Sequence, residues 1–212
     1  MSTENNQPIS YFKETKPAVI RIWHWLAFVF FAASLITVLL HATVFKTKLN
    51  VGMVIETVQK EGGTITEKQA KSVAHEYSDK LWDIHKYIGF GLCFLLLWRI
   101  VAEISISKEK KLSTRIRKAL SSEKSAEQKH YTIVQFSYFV FYMLFLTMAS
   151  TGLILAFEDV EWLKPIHHVA KEVHGFVQYL MYAFMAFHII GVIKADLGKY
   201  NGIVSRMING RD

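Results

Sequence analysis

Three long stretches without a charged residue dominate the pattern of polar and apolar positions along the chain. Residues 22–45, 131–157 and 173–193 contain no Asp, Glu, Lys or Arg, and most of their side chains are aliphatic or aromatic. A helix needs about 20 such residues to cross about 30 Å of hydrocarbon. Each stretch is long enough, so the pattern predicts three membrane-spanning helices.

A fourth span is predicted from a shorter pattern. Residues 87–98 are uncharged but number only twelve, and Lys86 and Arg99 flank them. A buried soluble helix or a re-entrant segment is the alternative. We favour a span over residues 81–106 with charged ends, because an odd number of crossings would place loops of similar charge on opposite sides of the membrane.

The predicted fold class is therefore an all-α integral membrane protein, a four-transmembrane-helix bundle with up-down-up-down topology. The polar segment between the first two spans contains "EKQAKSVAHEYSDK", which predicts one short helix outside the membrane. The predicted spans are 17–45, 81–106, 130–157 and 169–194, with an extramembrane segment over 46–80 and polar tails over 1–16 and 201–212.

The distribution of lysine and arginine predicts the orientation. These residues are concentrated in the N-terminal tail, in residues 107–130 and in the C-terminal tail, whereas the segment 46–80 balances six lysines with five acids. The positive-inside rule then places both termini in the cytoplasm and segment 46–80 in the periplasm. We read the net charge of +7 as a topology signal and not as a nucleic-acid-binding surface.

Cysteine usage narrows the possible cofactors. The chain has one cysteine, Cys93, which lies inside a predicted span. A CxxCH motif and a CxxC pair are both missing from the sequence. Covalent c-type haem, an iron–sulfur cluster and a structural zinc site are therefore not expected.

Four histidines lie in or beside predicted spans and form two levels. By the predicted topology, His24 and His188 lie near the cytoplasmic face, whereas His85 and His174 lie near the periplasmic face. His174 and His188 are fourteen residues apart, so on one helix they share a face within roughly 40° and are about 21 Å apart. Two imidazoles at each of two depths suit two haem b groups. Zinc or copper fits less well, because no further ligand is available at either level.

Alternatives remain open for these residues. A lone histidine in a span often makes only a hydrogen bond between helices. His41 is a rival to His85 as the partner of His174. Arg99 lies fourteen residues after His85, and it and Arg21 could each bind a haem propionate or reach lipid headgroups. Small residues near the histidines could admit a flat ring or serve helix packing; these are Gly89, Gly152 and Gly175.

Three short stretches resemble a known family. "RIWHWLAF" in the first span, "DIHKYIGF" at the start of the second and the paired histidines of the fourth look like the superfamily of bacterial cytochrome b561 and the b-type cytochrome subunit of nickel–iron hydrogenase. The resemblance implies a di-haem cytochrome b domain over 17–200 in the bacterial inner membrane. It implies the axial pairs His24–His188 and His85–His174, and electron exchange with quinone.

Three functions follow as hypotheses. The first is an electron-transfer subunit that links a periplasmic oxidoreductase, such as a hydrogenase, to the quinone pool. The second is a stand-alone cytochrome b561 that passes electrons from quinol to superoxide, oxygen or another small acceptor. The third is a haem-free transporter or assembly factor whose histidines bind metal or protons. Whether the chain is itself an enzyme is left open by the sequence.

Overall fold

The structure is a computed structural model that describes residues 16–105, 111–121, 126–198 and 200–210. The predicted N-terminal tail, apart from its last residue, lies outside the described residues. The described part of the chain is helical and contains no strand. Its helices are α1 (Ala18–Thr43), α2 (Thr47–Lys60), α3 (Glu67–Ser105), α4 (Leu112–Ser121), α5 (Ala126–Ala156), a 3₁₀ turn (Glu161–Leu163), α6 (Lys164–Asp196) and α7 (Ile203–Ile208).

Four of these helices are long and apolar enough to cross a membrane. They are α1, α3, α5 and α6, and all exceed the length that about 30 Å of hydrocarbon requires. Large apolar side chains such as Leu39, Leu97 and Phe187 are exposed on them, as lipid-facing residues should be. The predicted fold class, a four-transmembrane-helix bundle, is confirmed, including its fourth span.

Helix α3 is longer than the span predicted from its apolar residues. It runs without a break for 39 residues from Glu67 to Ser105, which corresponds to about 58 Å. The predicted short helix is therefore its first part, because no glycine or proline separates residues 67–80 from the apolar run. The preceding helix, α2, is a second helix within segment 46–80.

The chain divides into two compact units, one of which is residues 26–94. The other combines residues 16–25 with the described residues from 95 onward. In this second unit, the C-terminal helix α7 lies beside the start of α1, where the indole of Trp25 donates a hydrogen bond to the carbonyl of Met207 at 3.0 Å. Asp196, at the end of α6, accepts a hydrogen bond from the backbone N–H of Val204. The first contact holds the C-terminal segment against α1, which carries His24, and the second holds it against the end of α6.

In the unit of residues 26–94, Gly91 on α3 allows a close approach to Phe30 on α1. A Cβ at Gly91 would overlap Cε1 of Phe30 and would lie 2.7 Å from Cδ1 and 3.0 Å from Cζ of the same ring. The aromatic ring therefore occupies the space that any other residue at position 91 would need. Gly91 is not among the glycines predicted from the sequence, which include its neighbour Gly89 on the same helix.

We expect Gly91→Ala to destabilise the protein. The ring of Phe30 would have to swing away or the helices would have to separate, and such overpacking typically costs about 1–3 kcal/mol. The measurement is the thermal midpoint of the purified protein in detergent. Gly52→Ala is the control, because a Cβ at Gly52 on α2 meets nothing within 4 Å. Equal midpoints for the two variants would contradict the prediction.

Candidate functional site

His24 and His188 lie beside each other, on α1 and α6. The centroids of their imidazole rings are 6.1 Å apart, and the ring planes are inclined at 62°. His24 is half-buried, whereas His188 is exposed. The two histidines assigned to one depth from the sequence are thus brought together by the fold.

A series of aromatic rings extends from one side of His188 to α5. Phe184, one turn earlier on α6, is parallel to the His188 ring, with centroids 6.3 Å apart and planes inclined at 6°. Phe141 on α5 contacts Phe184 at 5.3 Å, and the fully buried Phe145 contacts Phe141 at 5.7 Å. This apolar packing lowers the local dielectric on the side of His188 that faces Phe184.

His174 lies near the other end of α6 and is held by α5. Its Nδ1 lies 2.9 Å from the hydroxyl oxygen of the buried Thr151. Gly152 is next to that threonine, and a Cβ there would be 3.3 Å from Cε1 of the His174 ring. The absence of a side chain at position 152 therefore leaves the imidazole the room that it occupies.

His85 is held in a similar way within the unit of residues 26–94. Its Nδ1 lies 2.8 Å from the hydroxyl oxygen of Thr37 on α1, which is also buried. The ring of Trp82, one turn earlier on α3, contacts His85 edge to face at 5.4 Å. His41, the rival ligand, contacts Trp82, and the centroids of their two rings are 4.5 Å apart.

The model of one protein family, described as prokaryotic cytochrome b561, matches residues 16–210. That match covers nearly the whole chain. The chain belongs to the prokaryotic cytochrome b561 family. No significant match was found among curated proteins or among solved structures.

Membership of the family makes this chain a bacterial multi-pass membrane cytochrome of the b type, which binds haem b and takes part in electron transfer. The haem-free hypothesis is accordingly set aside. The resemblance noted in the sequence to the b561 superfamily is confirmed. The number of haems, the quinone and the partner do not follow from membership of the family.

The donor set of the cytochrome fits haem b at the His24–His188 pair. A metal–imidazole nitrogen bond is about 2 Å and the ring centroid lies about 1 Å beyond, so two imidazoles on one iron have centroids roughly 6 Å apart. The observed 6.1 Å agrees with that spacing. Within the described ranges, no three side chains of His, Cys, Asp or Glu come together to bind a metal ion. The remaining ligands would therefore come from the nitrogens of the macrocycle.

The two arginines of the cytochrome have different surroundings. Arg99 forms an ion pair with Glu103, one turn later on α3, at 2.8 Å, and its guanidinium lies 5.6 Å from the centroid of the Tyr142 ring. Glu103 is thus one anionic neighbour of Arg99, and the binding of a haem propionate by Arg99 stays a prediction. The guanidinium of Arg21 lies against Gly210, and its buried Nε has no hydrogen-bond partner among the described residues. Nη1 of Arg99 is also buried without a hydrogen-bond partner among the described residues, so this property does not rank the two arginines.

The predicted glycines also differ. Gly152 lies against the ring of His174, whereas a Cβ at Gly89 or Gly175 would meet no atom within 4 Å. Open space at these two positions accommodates either a flat ring or lipid. Only Gly152 is therefore tied by a contact to one of the candidate ligands.

Sequence reasoning missed three polar residues of this b561 cytochrome: Thr37, Thr151 and Glu103. Glu103 could have been found from its spacing, because a pair four residues apart on a helix lies on one face. The two threonines give no such signal. Hydroxyl residues are common in membrane helices, where they often bond to their own backbone.

Proposed function

We propose that this cytochrome holds two haem b groups and carries electrons across the bacterial inner membrane, between the quinone pool and a periplasmic oxidoreductase subunit. His24 and His188 are the axial ligands of one iron, and His85 and His174 those of the other, as the sequence predicted. Both termini are cytoplasmic in this proposal.

The observation that carries the proposal is the facing pair His24 and His188 at 6.1 Å between ring centroids. These two imidazoles would hold a bound haem iron from both sides and would leave no ligand position for oxygen or a substrate. Bound haem b supplies one-electron redox chemistry. The chain's own contribution is to fix the ligands about 21 Å apart along α6 and to pack an aromatic ring against one of them, His188.

Segment 46–80 supports a periplasmic partner. Its helices carry large apolar side chains that are exposed outside the predicted spans, namely Leu49 and Met53 on α2 and Val73 and Tyr77 on the first part of α3. Each pair is four residues apart and so lies on one helix face. Apolar residues on such faces are typical of a surface that another protein covers.

The test is a redox study of the full-length protein purified in mild detergent. We expect about two haem b per polypeptide, with reduced-minus-oxidised absorbance typical of six-coordinate, low-spin iron. We also expect a quinol to reduce this haem without any other protein present. One haem or fewer per polypeptide, or no reduction by quinol, would contradict the proposal.

The stand-alone cytochrome b561 is the second candidate function. It is favoured by "DIHKYIGF", the stretch around His85, which is closer to that type. Purification from native membranes separates the two candidates. A soluble oxidoreductase that co-purifies in constant ratio supports the first, whereas quinol-driven reduction of superoxide or oxygen by the cytochrome alone supports the second.

A further inference from the structure

Two of the four candidate ligands, His85 and His174, share a feature that the other two lack. Each has its Nδ1 within hydrogen-bond distance of a buried threonine hydroxyl on a neighbouring helix. In the described part of the chain, no hydrogen bond joins the ring of His24 or His188 to another side chain. The feature thus distinguishes the candidate ligands of one haem from those of the other.

The hydroxyl of Thr37 donates its only proton to a backbone carbonyl of its own helix. Its Oγ1 lies 2.7 Å from the carbonyl oxygen of Ser34, three residues earlier on α1. A carbonyl oxygen can only accept, so the threonine hydroxyl donates its proton there. Towards His85, at 2.8 Å, the same oxygen can then only accept.

Thr151 makes the same arrangement on a different helix. Its Oγ1 lies 2.7 Å from the carbonyl oxygen of Thr147 and 3.3 Å from that of Met148. The proton again goes to the backbone, and the oxygen is an acceptor towards Nδ1 of His174 at 2.9 Å. Both threonines are nearly inaccessible, with 5% and 8% of their surface exposed for Thr37 and Thr151.

This bonding fixes the tautomer of each histidine. Because the hydroxyl oxygen accepts, Nδ1 must carry the ring proton, and in a neutral imidazole Nε2 then has the free lone pair. A metal ligand of this kind has its ring orientation set by the partner on its other nitrogen. The partner also makes the ligating nitrogen more basic, which favours the oxidised form of the iron.

We propose that Thr37 and Thr151 are positioning residues that hold His85 and His174 in the tautomer whose Nε2 can ligate haem iron, and that they lower the reduction potential of that haem. The inference rests on the proposed function, since it takes both histidines as ligands. It adds two residues to the site and a physical reason for the two haems to differ in potential.

The test compares Thr37→Val and Thr151→Val with Thr37→Ser and Thr151→Ser in the full-length cytochrome. Valine keeps the branched shape and loses the hydroxyl, whereas serine keeps the hydroxyl. We expect each valine variant to raise the midpoint potential of one haem and to speed its dissociation about tenfold or more. The other haem should keep its midpoint potential, and the serine variants should resemble the wild type.

Matched controls come from threonines on the same two helices. Thr43 on α1 and Thr147 on α5 also donate to the carbonyl four residues earlier, at 2.7 and 2.9 Å, but both hydroxyls are in exposed positions and neither bonds to a histidine. Thr43→Val and Thr147→Val should leave both midpoint potentials unchanged. A shift in these controls equal to that in Thr37→Val or Thr151→Val would overturn the inference.

This inference and the proposed function can be contradicted by different results. A wild-type protein without haem would overturn both. A wild-type protein with two haems, whose potentials and dissociation rates do not change in either valine variant, would overturn the positioning role and leave the proposed function standing. Potentials that shift as much in the serine variants as in the valine variants would also overturn it, because packing and not the hydroxyl would then be responsible.

Discussion

Replacing His188 with alanine should lower the haem content of the purified cytochrome from about two per polypeptide to about one. Alanine removes one of two axial imidazoles, and the remaining ligand, His24, would hold a five-coordinate iron weakly. The measurement is haem per polypeptide, together with the low-spin electron paramagnetic resonance signals of the oxidised protein. One of the two low-spin signals should disappear.

The matched control for His188→Ala is His168→Ala. His168 is on the same helix, α6, and is exposed, so its loss should leave both haems in place. His24→Ala should remove the same haem as His188→Ala, and the double variant should bind as much haem as either single variant, because two ligands of one iron act as a unit. Loss of both haems in either single variant, or retention of both, would contradict the assignment.

His24 and His188 show how much of the site could be predicted from the sequence. Lengths of uncharged runs fix which residues enter the membrane, and the direction of each helix then fixes their depth. Depth alone predicted that these two histidines share a level, and the fold brings their rings within 6.1 Å. The rotation of one helix about its axis relative to another depends on side-chain packing, and no pattern in the sequence reports it.

The roles of Thr37, Thr151 and Gly91 depend on how each helix is rotated about its axis, and they were therefore not predicted. The bond from Thr37 to His85 requires α1 to turn one particular face to α3, and the approach of Phe30 to Gly91 sets that face. No pattern in the sequence distinguishes this threonine from the other hydroxyl residues of the same helix.

The length of α3 could not be predicted for a different reason. Polarity reports where the membrane ends, and it says nothing about where a helix begins if no glycine or proline interrupts it.

His41 and His85 were rivals for one ligand position, and their surroundings now differ. His85 has a hydrogen bond at 2.8 Å that places the ring proton on Nδ1, and Nε2 is then the unprotonated nitrogen, which is the state that iron requires. For His41, at the end of α1, the structure gives a ring contact with Trp82 at 4.5 Å. Such a contact orients a ring but does not choose between its two nitrogens. We therefore favour His85 as the ligand.

The consequence is a second large and selective loss. We expect His85→Ala to remove one haem per polypeptide, and this haem should be the one that survives in His188→Ala. His41→Ala should keep both haems, with at most a small change in potential through the freed ring of Trp82. The double variant His85→Ala, His188→Ala should bind no haem and still insert into the membrane, because alanine is less polar than histidine and leaves the spans apolar. Full haem content in His85→Ala combined with loss in His41→Ala would reverse the assignment and transfer the ligand role to α1.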